Sequence, residues 1–267
     1  MVQERSSPFS AWLAPIAVLL GVAAMYLVAP RAARLGLRPG LALSELALVA
    51  PGLLFFVLSG RPAPLFGERR GLPGSLALTS LLAGIALWVA SLGLFELQYA
   101  VWKPPPGYLE AFRFLHERLK PNGPLDAVVS VLAIAGAPAL CEELLFRGLV
   151  LPSLARPLGA IAATVGSTLL FGVIHLDSTT PGEVSLYRVP FACAVGVAFA
   201  ALRLASGRLL VPMIAHGTLN AITFAVAPLS ELPADGNLPD PRPLIGLASF
   251  AAGAIASTFL IRRCARD

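Results

Sequence analysis

The sequence predicts an all-α membrane protein, a polytopic bundle of about eight transmembrane helices around a polar cavity within the membrane. The 267 residues are 57% hydrophobic and only 13% charged, with a mean hydropathy of +0.78. Soluble domains are roughly 45–50% apolar and about 25% charged. The apolar residues form runs near the ~20 residues that a helix needs to cross a bilayer. A few ionisable residues interrupt these runs, and such residues usually face a protein interior or a water-filled cavity.

Eight apolar runs are long enough to be membrane spans, and turns rich in Pro, Gly and Arg separate them. The first run follows a short polar N-terminus and is too long for the apolar region of a signal peptide, so we predict that this helix is retained. We expect one membrane-embedded domain over residues 1–267. The predicted spans are Ala11–Pro30, Leu41–Ser59, Ser75–Val101, Leu125–Phe146, Gly159–Leu176, Val189–Ala205, Leu209–Pro228 and Leu244–Ile261.

Residues 103–123 form a long connection between the third and fourth predicted spans. Apolar residues recur there at helical spacing from Tyr108 to Leu119, and charged residues fill the other side. This pattern predicts a short amphipathic helix that lies in the membrane interface. A solvated turn with a few apolar residues is the alternative.

Charge and cysteine content exclude several function classes. The net charge of +5 is spread over the turns between helices, which is typical of arginines that flank membrane spans and does not indicate nucleic-acid binding. The three cysteines are odd in number and form no Cys-x-x-Cys pair, so we expect neither a disulfide framework nor a cysteine zinc site. The predicted partners are membrane lipids and a membrane-anchored protein or peptide, with no nucleic acid.

An acidic pair stands near the end of the fourth predicted span. Glu142 and Glu143 follow the long apolar run and precede Arg147. On a helix, Glu143 and Arg147 are i,i+4 neighbours that can neutralise each other. Glu142 is turned by about 100° and can face a different partner. The spacing therefore predicts one structural glutamate and one that is available for chemistry.

Two histidines and an asparagine extend this polar set. His175 ends an apolar helix, and His216 and Asn220 are i,i+4 neighbours on another. A single histidine in a membrane helix is as easily explained by a hydrogen bond between helices. Polar residues on three separate apolar helices are better explained if they converge on one cavity in the bundle.

These residues resemble the motifs of a known family. The order Glu-Glu-x-x-x-Arg, then Phe-x-x-x-His, then His-x-x-x-Asn is similar to that of the CPBP intramembrane proteases, which include the type II CAAX prenyl proteases and the Abi or bacteriocin-processing proteins. The segment Gly207–His216 also matches the family's approach to its third motif. The resemblance covers about 125–225, which would be the catalytic core.

The resemblance implies an intramembrane endopeptidase of a multi-pass, bacterial inner-membrane type. Glu142 and His175 would activate a water for attack on a peptide carbonyl. His216 and Asn220 would donate hydrogen bonds to the developing oxyanion, and Glu143 with Arg147 would fix the site. The family also leaves a zinc site open, with Glu142, His175 and His216 as ligands. Because His-Glu-x-x-His is absent, we favour the metal-free mechanism.

Two other functions stay open from the sequence. Cys141 directly precedes the glutamates and can be a nucleophile with His175 as its base. That chemistry would give a sortase-like transpeptidase of C-terminal sorting signals, as is thought of the myxosortase relatives. Packing of Cys141 is the simpler explanation, since small buried cysteines are common. A non-enzymatic membrane carrier or immunity protein, with the carboxylates as relays, is the second alternative.

Overall fold

The computed structural model describes residues 8–60, 65–66, 71–176, 182–226 and 240–266, and these are almost entirely helical. The predicted all-α bundle is confirmed. Ten α-helices lie within the described residues: α1 Leu13–Ala32, α2 Leu37–Ser59, α3 Gly74–Val101, α4 Tyr108–Leu119, α5 Pro124–Val131, α6 Ala137–Glu143, α7 Leu151–Val173, α8 Gly182–Ser206, α9 Leu210–Val226 and α10 Pro243–Cys264.

Six helical stretches in the described part of the chain are long and apolar enough to cross a membrane. The chain is therefore an integral, multi-pass membrane protein. Two of the eight predicted spans fall within a single stretch, Pro124–Val173, whose 50 residues are too long for one crossing. The stretch breaks at Gly159, where φ is +79°, a value that favours glycine. Helix α9, with 17 residues, is shorter than these six stretches, and the end of the span predicted over Leu209–Pro228 lies outside the described residues.

The outer helix faces are apolar, as contact with lipid requires. Large apolar side chains project from α1, α2, α3, α7 and α10 with half or more of their surface exposed. In water such a surface would be a strong aggregation risk, whereas in a bilayer it meets hydrocarbon. Examples are Leu19, Leu54, Leu78, Ile161, Leu244 and Phe259.

Small residues let α3 and α10 approach each other closely. A Cβ atom added at Gly93 would overlap the backbone of Gly246 and Phe250, and one at Gly253 would overlap the backbone at Ala90. Apolar helices in lipid gain little from hydrophobic burial, so van der Waals contact between backbones stabilises their association. This pair therefore forms a tightly packed side of the bundle.

The connection that contains α4 is tied to α2 by Arg38. Its guanidinium donates to Ser130 Oγ at 2.7 Å, to Asp126 Oδ2 at 2.9 Å and to the Leu119 carbonyl at 3.3 Å. The helix predicted within residues 103–123 is present, and Leu119 at its end is buried. These contacts hold the start of α5, and with it the helix that leads to the glutamate pair, against α2.

Candidate active site

The glutamate pair lies on a helix of uneven winding. The π-helical segments Leu132–Gly136 and Leu144–Val150 precede and follow α6, which ends with Glu142 and Glu143. Widened turns of this kind are often found at functional sites. Pro138 lies in the first turn of α6, and the preceding residues keep helical dihedral angles. The chain therefore continues as one helix, with altered side-chain directions around the two glutamates.

Glu143 and Arg147 form the ion pair that their spacing predicts. Arg147 Nη1 donates to Glu143 Oε1 at 3.0 Å, and both side chains are fully buried. Leaving one charge of such a pair without the other is strongly destabilising. Each of these two buried charges therefore depends on the other for its stabilisation.

The rest of the Arg147 guanidinium contacts α8 and three aromatic rings. Nη2 donates to the Gly196 carbonyl at 2.8 Å. The guanidinium carbon lies 4.5 Å from the ring centre of Phe171, 5.4 Å from that of Phe199 and 5.9 Å from that of Phe146. Aromatic faces attract a cation more strongly where water is excluded. The pocket therefore fixes both the charge and the direction of Arg147.

His216 of α9 lies between the two glutamates. Its Nδ1 atom is 3.0 Å from Glu143 Oε1, and its Nε2 atom is 4.0 Å from Glu142 Oε2. The ring stacks on Phe199, with centres 4.6 Å apart. Because Glu143 is paired with Arg147, it acts as an acceptor, so Nδ1–H is the donor to it. This orients Nε2 towards Glu142.

Glu142 differs from its neighbour in having fewer partners. Its side chain is 10% exposed, and Oε2 is buried without a hydrogen-bond partner among the described residues. An unpaired buried carboxylate is costly and usually marks a functional position in a membrane protein. The predicted difference between the two glutamates is therefore visible in their surroundings.

His175 and Asn220 are less closely connected to this network. His175 Nδ1 lies 2.8 Å from the Phe171 carbonyl, and its ring contacts that of Phe171 at 4.9 Å. Phe171 also contacts His216, at 6.3 Å between ring centres. Asn220 is half-buried one turn after His216 and makes no hydrogen bond within the described residues. No direct hydrogen bond joins His175 to Glu142 in the described part of the chain.

Cys141 is packed in the apolar core. Its side chain is buried among core residues, while Glu142 faces the histidine. Cys193 is half-buried and Cys264 is buried, and all three thiols are free.

The residues predicted as zinc ligands are not arranged as a metal site. Within the described ranges, no three His, Cys, Asp or Glu side chains are grouped closely enough to hold an ion. We therefore derive no step through a metal.

Sequence reasoning missed two contributors to the site. Glu45 of α2 lies near enough to Glu142 and Cys141 to interact electrostatically with both. The sequence does show Glu45 as an ionisable residue within the predicted span Leu41–Ser59, and such residues in membrane spans are usually functional. Gly196 of α8 carried no such signal, because its role is to leave room for Arg147 and Phe171.

Comparison with known proteins assigns the segment that contains the network. Residues 124–222 match the family model described as type II CAAX prenyl endopeptidase Rce1-like. This segment is similar to that family. The match confirms the resemblance to the CPBP and CAAX proteases and supports, at family level, an intramembrane endopeptidase. No curated protein and no solved structure gives a significant match to the chain.

The Rce1-like segment includes every residue that the motifs indicated, from Cys141 to Asn220. It excludes α1 to α4 and α10. The myxosortase branch, the bacterial inner membrane and the roles of individual residues stay predictions.

Proposed function

We propose that this Rce1-like protein hydrolyses a peptide bond in a membrane-associated protein or peptide by using Glu142 as the base that activates the attacking water. The main support is the contrast between the two glutamates. Both glutamates have a buried Oε2 atom without a hydrogen-bond partner, but Oε1 of Glu143 binds Arg147 and His216, whereas Glu142 makes no hydrogen bond among the described residues. A base must have a free lone pair within reach of the proton that it removes.

His175 assists as a second proton acceptor. Because its Nδ1–H donates to the Phe171 carbonyl, the lone pair is on Nε2. The family resemblance gives His175 the same task beside Glu142. In the proposed reaction, the attacking water lies between these two side chains.

His216 and Asn220 stabilise the negative charge that develops on the carbonyl oxygen. Nδ1 of His216 is held by Glu143, and Nε2 is the atom that donates to the oxyanion in this proposal. Asn220 follows one turn later on α9 and has no competing hydrogen bond among the described residues. Donors in a water-poor site are worth more than the same donors in water. Glu143 and Arg147 act by holding His216 in this direction.

The reaction follows from these assignments. Glu142 takes a proton from water as the water oxygen attacks the carbonyl carbon, and the oxyanion accepts hydrogen bonds from His216 and Asn220. Collapse of the tetrahedral intermediate breaks the C–N bond, and the nitrogen takes up one proton from the site, which balances the proton that Glu142 removed from water. The products are a carboxylic acid and an amine.

The test compares wild type, Glu142→Gln and Cys141→Ser in the native membrane, with processing of membrane-anchored proteins followed by mass spectrometry. We expect Glu142→Gln to accumulate uncut precursors and Cys141→Ser to process them normally, because Cys141 is packed in the core. Accumulation in both variants would favour the thioester mechanism. Normal processing in both would refute the proposed hydrolysis.

A further inference from the structure

A third carboxylate, Glu45, lies beside the glutamate pair and is outside the Rce1-like segment. It belongs to α2, which packs along α6 and the π-helical segments on either side of it. The family match therefore gives Glu45 no role, and neither does the mechanism above.

The contacts of α2 fix the level of Glu45 in the bundle. Arg38 contacts Asp126 and Ser130, and a Cβ atom added at Gly52 would touch Leu145. Glu45 is midway between Arg38 and Gly52, seven residues from each, so the three positions share one helix face. That face is directed at the helical stretch that includes α6.

The two sets of contacts run in the same direction along both helices. The midpoint between the anchor positions therefore faces the start of α6, within a turn or so of the glutamate pair. The electrostatic interactions of Glu45 with Cys141 and Glu142 agree with this placement.

Glu45 is also an unsatisfied acid. Its Oε2 atom is buried and has no hydrogen-bond partner among the described residues, as is true of Glu142 Oε2. Two interacting carboxylates in a low-dielectric site are costly to ionise together, so the proposed starting state has one proton for the two groups. The Arg147 cation is already committed to Glu143.

We propose that Glu45 is the proton donor to the leaving amine, opposite Glu142 as the base. This role rests on the proposed hydrolysis. Glu142 removes a proton from water as the O–C bond forms. When the C–N bond breaks, its electron pair on nitrogen takes the proton of the Glu45 carboxyl group. Transfer of the proton from Glu142 to Glu45 then restores the starting state, so the cycle needs no other reagent.

The test compares cleavage of an amide with cleavage of an ester, because an amine leaving group needs protonation more than an alcohol does. Two synthetic peptides span the bond mapped by the Glu142→Gln comparison, one with its amide and the other with an ester at that bond. The wild-type protein, reconstituted in liposomes, is compared with Glu45→Gln and with Glu96→Gln. Glu96 is on α3 and accepts a hydrogen bond from the Arg242 amide, so this variant is a matched carboxylate control.

We expect Glu45→Gln to lower kcat for the amide by about 10²-fold or more, the usual contribution of acid–base catalysis. The ester has a better leaving group and needs less protonation, so its kcat should change far less. Glu96→Gln should leave both rates unchanged.

Equal losses on both peptides would overturn the proton-donor role and indicate a structural one, and no loss would also overturn it. In either case, cleavage by wild type and its absence in Glu142→Gln would leave the proposed hydrolysis standing. If wild type cleaves neither peptide and processes no protein, the proposed function fails and the role of Glu45 fails with it.

Discussion

Replacement of Arg147 by methionine tests the ion pair that supports the site. The change removes the cation but keeps an apolar side chain among the three phenylalanine rings. Among the described residues, Glu143 then keeps only its hydrogen bond with His216, at 3.0 Å. Because both members of the pair are fully buried, we expect a loss of about 3–5 kcal/mol in the free energy of unfolding, as for other broken buried pairs.

The reverse change should cost less. In Glu143→Gln, the Arg147 guanidinium keeps the Gly196 carbonyl and the aromatic faces. We therefore expect Glu143→Gln to lower the free energy of unfolding by about 1.5–3 kcal/mol, the usual contribution of a hydrogen bond to a charged group. The double variant leaves no isolated charge from the pair. We therefore expect it to be more stable than the sum of the single effects, with a coupling of about 1–3 kcal/mol.

Equilibrium unfolding in mixed micelles provides the measurement, with a thiol-reactive dye as the reporter. Cys141 and Cys264 are buried and become accessible when the bundle opens. Arg262→Met, at an exposed position near the end of α10, is the control and should change stability by less than about 0.5 kcal/mol. Additive effects of the two single variants, within about 0.5 kcal/mol, would refute the mutual dependence of Glu143 and Arg147.

Three further predictions concern other parts of the molecule. Asn220→Ala should lower kcat by about 10²–10³ without loss of folded protein, as expected for a missing oxyanion donor, and peptide cleavage assays check this. Gly93→Ala adds a methyl group that overlaps the backbone of Gly246, so it should lower the free energy of unfolding by about 1–3 kcal/mol. Dye-monitored unfolding measures this loss, and the cleavage rate per folded molecule should not change. Arg38→Met removes the bonds that hold the α4–α5 connection, including that to Ser130, and should speed hydrogen exchange there; unchanged exchange would contradict the anchoring role.

The sequence was sufficient for the features that depend on local spacing. Helical periodicity and apolar run length predicted the bundle, because lipid requires backbone groups to be satisfied within each helix. The i,i+4 spacing predicted the bond between Glu143 and Arg147, which the structure contains. The two apolar runs predicted over Leu125–Phe146 and Gly159–Leu176 correspond to a 50-residue helical stretch that breaks at Gly159, so run length also predicted this division.

Local sequence patterns could not predict the contacts between distant segments of the chain. Nothing near Gly196 indicates that its carbonyl accepts a bond from Arg147, since the two residues are far apart in the sequence. The same holds for Glu45, whose position depends on how α2 packs along α6. Polar motifs identified the residues of the network, whereas the partner of each residue depended on the tertiary arrangement.

The two adjacent glutamates show how one helix gives identical side chains different surroundings. The turn of about 100° between neighbouring residues directs Glu143 towards His216 of α9 and Arg147 of the same helical stretch, which bind the same oxygen. Glu142 interacts electrostatically with Glu45 of α2 and has the Nε2 atom of His216 at 4.0 Å. One glutamate is therefore held in place by two donors, while the other lacks a hydrogen-bond partner among the described residues. An exchange of their roles would require Arg147 to move to the other face of the helix, so substitution of either glutamate cannot be compensated by its neighbour.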